Sequence, residues 1–282
     1  MFLVPEYEEL VLVLPDGYRA YARYWSCPKP RAAVLYLHGI QSHCGWYEAS
    51  AGALSDAGYA VLQPDRRGSG KNHVARGHSG SAQELIADTF AARDELLQRS
   101  GCGGYHIVGV SWGGKLAAAA YATQPDGVQS ISLVAPGLFP LVGVTAAQKF
   151  RIGLAMVADP LRQFDIPLNE PDMFTAEPVW MQYIAKDPLT LRQATAGFYL
   201  ASRRMDKTFA RLAGAPPVPL HLFLAEHERI IDNARTTQFV RDLQWPGCRI
   251  TVYESARHSL EFEPAPCTYI ADIVAFVNEV TG

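Results

Sequence analysis

A chain of 282 residues with 28 acidic and 25 basic side chains carries a formal net charge of −3, so it lacks the polybasic footprint by which nucleic acid or an acidic membrane surface is held. Its composition, 49% hydrophobic and 19% charged, is that of a globular protein with a buried core. Five cysteines (Cys27, Cys44, Cys102, Cys248 and Cys267) make an odd count without C-x-x-C spacing, which suits reduced thiols better than a disulfide framework or a zinc site.

The first residues, Met1-Phe2-Leu3-Val4-Pro5-Glu6-Tyr7-Glu8-Glu9, lack a basic n-region and turn acidic before any apolar stretch, so no signal peptide is expected. No run of about 18 uncharged apolar residues occurs, and the expectation is a cytoplasmic protein without a transmembrane segment. Residues 9–14 and 18–25, joined by Pro15-Asp16-Gly17, read as an antiparallel pair of strands. Residues 32–37 then form an almost continuous apolar run, as in strands buried on both faces of a parallel sheet. Similar runs recur at 60–62, 107–108, 131–134, 220–225 and 250–253. Helical patterns fall between or after them at 48–57, 82–98, 236–243 and 269–280, and strands alternating with helices predict a doubly wound α/β sheet.

Within this series the run Tyr105-His106-Ile107-Val108 leads through Gly109-Val110-Ser111-Trp112-Gly113-Gly114 into a helix-forming stretch beginning at Lys115. A strand, a tight turn and a helix in immediate succession make a nucleophile elbow. Gly109 and Gly113 stand two positions either side of Ser111, where a Cβ would collide with the neighbouring strand or helix. Residues 109–115 also fit most of the phosphate-binding pattern G-x-x-x-x-G-K, but Leu116 stands where a magnesium-binding serine or threonine is required.

After Val134-Ala135-Pro136 the alternation stops. Residues 137–219 contain no clear strand, only helix-like segments rich in apolar and aromatic side chains, among them Phe150, Phe174, Trp180, Phe198 and Tyr199. A helical insertion between two strands of one sheet predicts a lid over the strands' carboxyl ends, with 1–136 and 220–282 forming the core. When strands resume, the run at 220–225 ends in Glu226-His227-Glu228-Arg229-Ile230-Ile231-Asp232, and that at 250–253 ends in Glu254-Ser255-Ala256-Arg257-His258-Ser259. A serine hydroxyl needs an adjacent base, and chain order supplies a carboxylate loop and then His258. His258 would take the proton of Ser111 and return it to the leaving group, and the acid would hold its tautomer. His258 must be neutral to do so, and activity is expected to rise with pH as the imidazole loses its proton.

The stretches Leu37-His38-Gly39-Ile40, His43-Cys44-Gly45-Trp46-Tyr47-Glu48, Gly58-Tyr59-Ala60-Val61, Pro64-Asp65-Arg66-Arg67-Gly68-Ser69-Gly70, the elbow, and Glu228-Arg229-Ile230-Ile231-Asp232-Asn233 together resemble α/β-hydrolases of the monoacylglycerol lipase and lysophospholipase group. The likeness extends over nearly the whole chain. It implies an α/β-hydrolase fold, a mostly parallel twisted sheet flanked by helices with a helical cap after the sixth strand. It also implies an oxyanion hole from the backbone N–H groups of Ile40 and Trp112, about 3 Å from the developing charge. Glu228 matches the acid position, usually aspartate in this group, with Glu226 and Asp232 as neighbouring candidates; Trp112 is bulkier than the usual residue after the serine and would narrow the acyl pocket.

Other polar residues read as structural. His73 and His78 are expected to be solvated loop residues without a third metal ligand, Asp65 belongs to the turn beside Arg66 and Arg67, and Cys44 is expected to pack. Gly68-Ser69-Gly70 lacks the third glycine of a dinucleotide fingerprint. The expectation is a serine hydrolase of carboxylic esters working through an acyl-enzyme, with no cofactor and a small-molecule, lipid-like ester as partner. The same three residues would also serve thioester hydrolysis, acyl transfer, amide cleavage or carbon–carbon bond hydrolysis, and a non-catalytic ligand-binding or scaffold role stands as the alternative from another class.

Overall fold

The computed structural model describes residues 6–264 and 267–282; the N-terminal residues 1–5, part of the stretch read above for a signal peptide, lie outside them. β1 (Tyr7–Val13) pairs antiparallel with β2 (Arg19–Trp25), as the Pro15-Asp16-Gly17 turn predicts, with Gly17 at φ 83°. β3 (Ala32–Leu37) is buried at every position and leads to α1 (Glu48–Asp56) and β4 (Tyr59–Pro64). α2 (Ala82–Ser100) starts under a Ser81 cap and stops at Gly101, whose left-handed φ of 69° ends the helix. β5 (Tyr105–Val110), α3 (Trp112–Thr123) and β6 (Val128–Val134) complete the first half of the sheet.

Between β6 and the next sheet strand lie α4 (Ala146–Ala158), β7 (Gln163–Asp165), α5 (Pro178–Lys186), β8 (Gln193–Thr195) and α6 (Ala196–Phe209). The expectation that this segment holds no strand is corrected here. β7 and β8 pair antiparallel over three residues each, too short to leave a period in the sequence. β9 (Leu220–Ala225), α7 (Asn233–Asp242), β10 (Arg249–Tyr253) and α8 (Tyr269–Thr281) finish the chain.

The eight main strands lie in the order β1-β2-β4-β3-β5-β6-β9-β10, parallel except for the pairs β1–β2 and β2–β4. Strand order reverses direction between β3 and β5, so the loops leaving those two carboxyl ends diverge and open a crevice, the position where α/β sheets bind ligands. The core is continuous across both faces of the sheet, with Trp25, Tyr36, Tyr59, Tyr121, Phe223 and Tyr269 among its largest fully buried side chains. No helix of the described residues is long and apolar enough to cross a membrane.

Candidate active site

Ser111 sits between β5 and α3 at φ 53°, ψ −122°, a backbone conformation that costs an L-residue about 1–3 kcal/mol and persists only where the surroundings impose it. The flanking glycines are what make the turn fit. A Cβ at Gly109 would stand 2.6 Å from Gly113 O and Gly114 Cα, and one at Gly113 would stand 2.3 Å from Leu37 O of β3. Helix and strand therefore close on the turn from both sides, as the sequence predicts.

Three strand ends contribute to one constellation. His258 Nε2 lies 2.9 Å from Ser111 Oγ, and His258 Nδ1 lies 2.8 Å from Glu228 Oε2. Because a carboxylate only accepts, Nδ1 carries the proton and Nε2 is left to accept from the serine hydroxyl. His258 and Glu228 are both buried, each with 2% of its side chain exposed. Glu228 Oε1 also accepts from the N–H groups of Ile230 (2.7 Å) and Ile231 (3.3 Å), so its longer side chain is anchored at both oxygens. Burial works to raise its pKa, but His258 and the two backbone donors outweigh it and hold the carboxyl below the usual range.

The neighbouring carboxylates have other partners. Glu226 Oε2 accepts from Ser255 N, and Asp232 caps α7 by accepting from Arg235 N. The loop after β3 comes so close to Ser111 that a Cβ on Gly39 would stand 3.2 Å from Ser111 Cβ. Neither the Ile40 N–H nor the Trp112 N–H has an acceptor among the described residues. Trp112 N heads α3, where the helix dipole favours negative charge. The Trp112 ring is buried, donates from Nε1 to Ser202 Oγ (2.9 Å) and lies against Phe198, so its bulk is taken up by the contact between α3 and α6.

Several residues around the site were given no role by the sequence. Gly137 N donates to Ser111 O (2.6 Å), and a Cβ there would stand 3.2 Å from Trp112 N. Phe174 meets the His258 ring edge-on with centroids 6.0 Å apart, and its carbonyl accepts from Ser259 N. His43 and Trp46 both donate to Asp187, joining the loop after β3 to the segment before β8.

The residues read as structural fall out as follows. Lys115, the lysine of the phosphate-loop pattern, pairs with Asp206 of α6. Arg67 is taken by Asp16, Glu84 and Asp88, whereas Arg66 turns inward to backbone carbonyls. His73 is exposed, but the expectation of a solvated His78 is corrected: it is half-buried, with Nδ1 2.9 Å from Thr195 Oγ1. His43, Cys44 and Asp65 bring three potential ligand atoms within 4.8 Å of one another. Both Asp65 oxygens already accept N–H bonds, from Cys44 and Lys71, and burial pushes the Cys44 thiol well up, so the group reads as a structural knot.

Comparison with known proteins agrees with this architecture. The mouse (Mus musculus) monoglyceride lipase is 24% identical over 263 residues, covering 89% of this chain and 84% of its own. A monoacylglycerol lipase from Paleococcus ferrophilus superposes with a TM-score of 0.82 at 19% identity, over 93% of this chain and 99% of its own. A soluble variant of the Saccharomyces cerevisiae monoglyceride lipase, solved with a substrate analog, gives 0.84 at 18% identity, over 100% and 97%. Residues 28–265 match the model of the family described as serine aminopeptidase, S33, and with the α/β-hydrolase sheet and this match the chain belongs to that family of serine hydrolases.

Proposed function

We propose that the protein hydrolyses carboxylic esters with an apolar acyl chain, of the monoacylglycerol or short-chain ester kind, through Ser111, His258 and Glu228. The observation that carries this reading is the unbroken hydrogen-bonded path from Glu228 through His258 to Ser111 Oγ. His258 Nε2 takes the hydroxyl proton as Oγ attacks the ester carbonyl, and Glu228 stabilises the imidazolium that results. The N–H groups of Ile40 and Trp112 receive the developing oxyanion. His258 then protonates the departing alcohol, leaving an acyl group on Ser111. Water, deprotonated by the same imidazole, releases the acid and restores the enzyme.

Residues 137–219 act in this reading as a cap over the site. The monoglyceride lipases to which the chain is similar, and the apolar side chains that the cap brings to His258 and Trp112, support an acyl substrate. A screen on esters of graded acyl length, beside a thioester and an aminopeptidase substrate, tests the class of bond. Ester turnover should dominate and be lost in Ser111→Ala, together with fluorophosphonate labelling. Faster turnover of the aminopeptidase substrate, or continued labelling of Ser111→Ala at another residue, would overturn the reading.

A further inference from the structure

Two adjacent arginines in Asp65-Arg66-Arg67-Gly68 meet opposite fates. Arg67 is neutralised by three carboxylates. Arg66 is buried, with 8% of its surface exposed, and forms no ion pair among the described residues. Its Nη1 donates to Gly39 O (3.0 Å) and its Nη2 to Ile40 O (2.9 Å), while Nε has no partner. The guanidinium lies 4.8 Å from the centre of the Trp112 ring and 5.2 Å from that of Phe198. Burial brings its pKa down to about 9, the mark of a cation kept at a cost that the aromatic faces and carbonyls only partly offset.

We propose that Arg66 is a positioning residue of the oxyanion hole, clamping the Gly39–Ile40 peptide so that the Ile40 N–H stays aimed at the reacting carbonyl. The proposal rests on the reading of Ser111 as nucleophile. In a trans peptide the C=O and N–H point in opposite directions, so fixing the Gly39 carbonyl fixes the Ile40 N–H on the far side. Gly39 needs such fixing. It has no side chain to restrain its dihedrals, and the closeness of Ser111 leaves no room for one.

The clamp has a second arm. His38 Nε2 accepts a hydrogen bond from the Arg66 backbone N–H at 2.9 Å, so Nδ1 is the protonated nitrogen and donates to Gly39 O at 2.8 Å. Burial and the neighbouring Arg66 charge push the His38 pKa well down, keeping the ring neutral and that tautomer fixed. Ser42 Oγ accepts from Gly39 N and completes the frame. Arg66 adds what a neutral donor cannot. A charge-assisted hydrogen bond to one end of a peptide polarises the other, which makes the Ile40 N–H a stronger donor to the oxyanion.

Arg66→Met and Arg66→Lys in the full chain test this with p-nitrophenyl esters, a trifluoromethyl ketone that forms an anionic adduct on serine, and a non-hydrolysable ether analogue. Losing one oxyanion donor outright costs about 100- to 1,000-fold in kcat. Arg66→Met, which leaves the donor present but its peptide held only by His38 and Ser42, should lower kcat by roughly 10- to 100-fold with KM within about twofold. Trifluoromethyl ketone affinity should fall by the same factor, ether affinity should be unchanged, and Arg66→Lys should recover part of kcat. An unchanged kcat, or equal losses for the ketone and the ether, would overturn the proposal. If Arg66→Met does not fold, Arg66→Lys alone decides, by a kcat loss at constant KM or by none. Activity surviving in Ser111→Ala would mark a failure of the nucleophile reading instead.

Discussion

Three carboxylates within seven residues follow β9, and their contacts in the fold differ. Glu226 is spent on Ser255 N, Asp232 on the first turn of α7, and Glu228 alone reaches His258. Ser111 could be picked from the glycines of its strand-turn-helix elbow, and His258 because it follows the carboxylate loop in the chain order that a serine, acid and histidine take in this fold. Chain order alone leaves the acid open, since each carboxylate sits in the same polar loop, and it is the family resemblance that puts Glu228 first. Glu228→Gln keeps the shape but lets the side-chain amide donate to Nδ1, favouring the wrong imidazole tautomer, and kcat should fall by roughly 1,000-fold or more. The depressed pKa of Glu228 also has a sign for stability. The native state holds this proton less tightly than the unfolded chain, whose value is near 4.5, so the carboxylate stabilises the fold above that pH and the contribution is lost as pH falls through the native value. Thermal melts between pH 7 and pH 3 should show an acid-side loss in the wild type that is smaller in Glu228→Gln; parallel curves would contradict this.

At the scale of elements, the strands buried on both faces announced themselves as apolar runs, and their structural bounds differ from the sequence reading by one to three residues where polar ends such as Gln129 and Ser130 of β6 interrupt the run. β7 and β8 gave no such sign because their pairing joins residues about thirty apart. Less visible still is how the His258 loop is tied to α1. Glu261, in the short 3-10 turn just after His258, is half-buried with its carboxyl turned inward, and Oε1 accepts from Ser50 N in the first turn of α1. Burial pushes its carboxyl up to about 7 from 4.5, and Oε2 has no partner. The native state therefore binds this proton more tightly than the unfolded chain, and the carboxyl's contribution to stability declines as pH rises from about 4.5 to about 7, by at most roughly 3 kcal/mol. Glu261→Gln cannot ionise. Its melting temperature should gain on the wild type between pH 5 and pH 8, and a constant offset across that range would show that ionisation is not the cause.

On the scale of the whole molecule, the segment between β6 and β9 is held to the sheet at each side of the site. Asp187 binds His43 and Trp46 of the loop after β3; α6 is joined to α3 through Trp112–Ser202 and Lys115–Asp206; and Phe174 O accepts from Ser259 beside His258. Asp187, buried yet held near pKa 2 by its His43 and Trp46 donors, makes the first of these ties an ionised one at neutral pH. α4 differs from its neighbours. It buries only Ile152 and Ala155, while Phe150, Leu154 and Val157 are 68%, 57% and 90% exposed. Local opening is easiest where little apolar surface must leave its partners, so the part of this segment able to move is α4, whereas α6 behaves as a wall of the site. Hydrogen–deuterium exchange of the free protein should therefore label α4 amides at least tenfold faster than those of α6, whose Phe198, Ala201 and Met205 are each at most 1% exposed. Equal protection of the two helices would mean that the segment opens as one body, and access to Ser111 would then require the ties to Asp187 and α3 to break together.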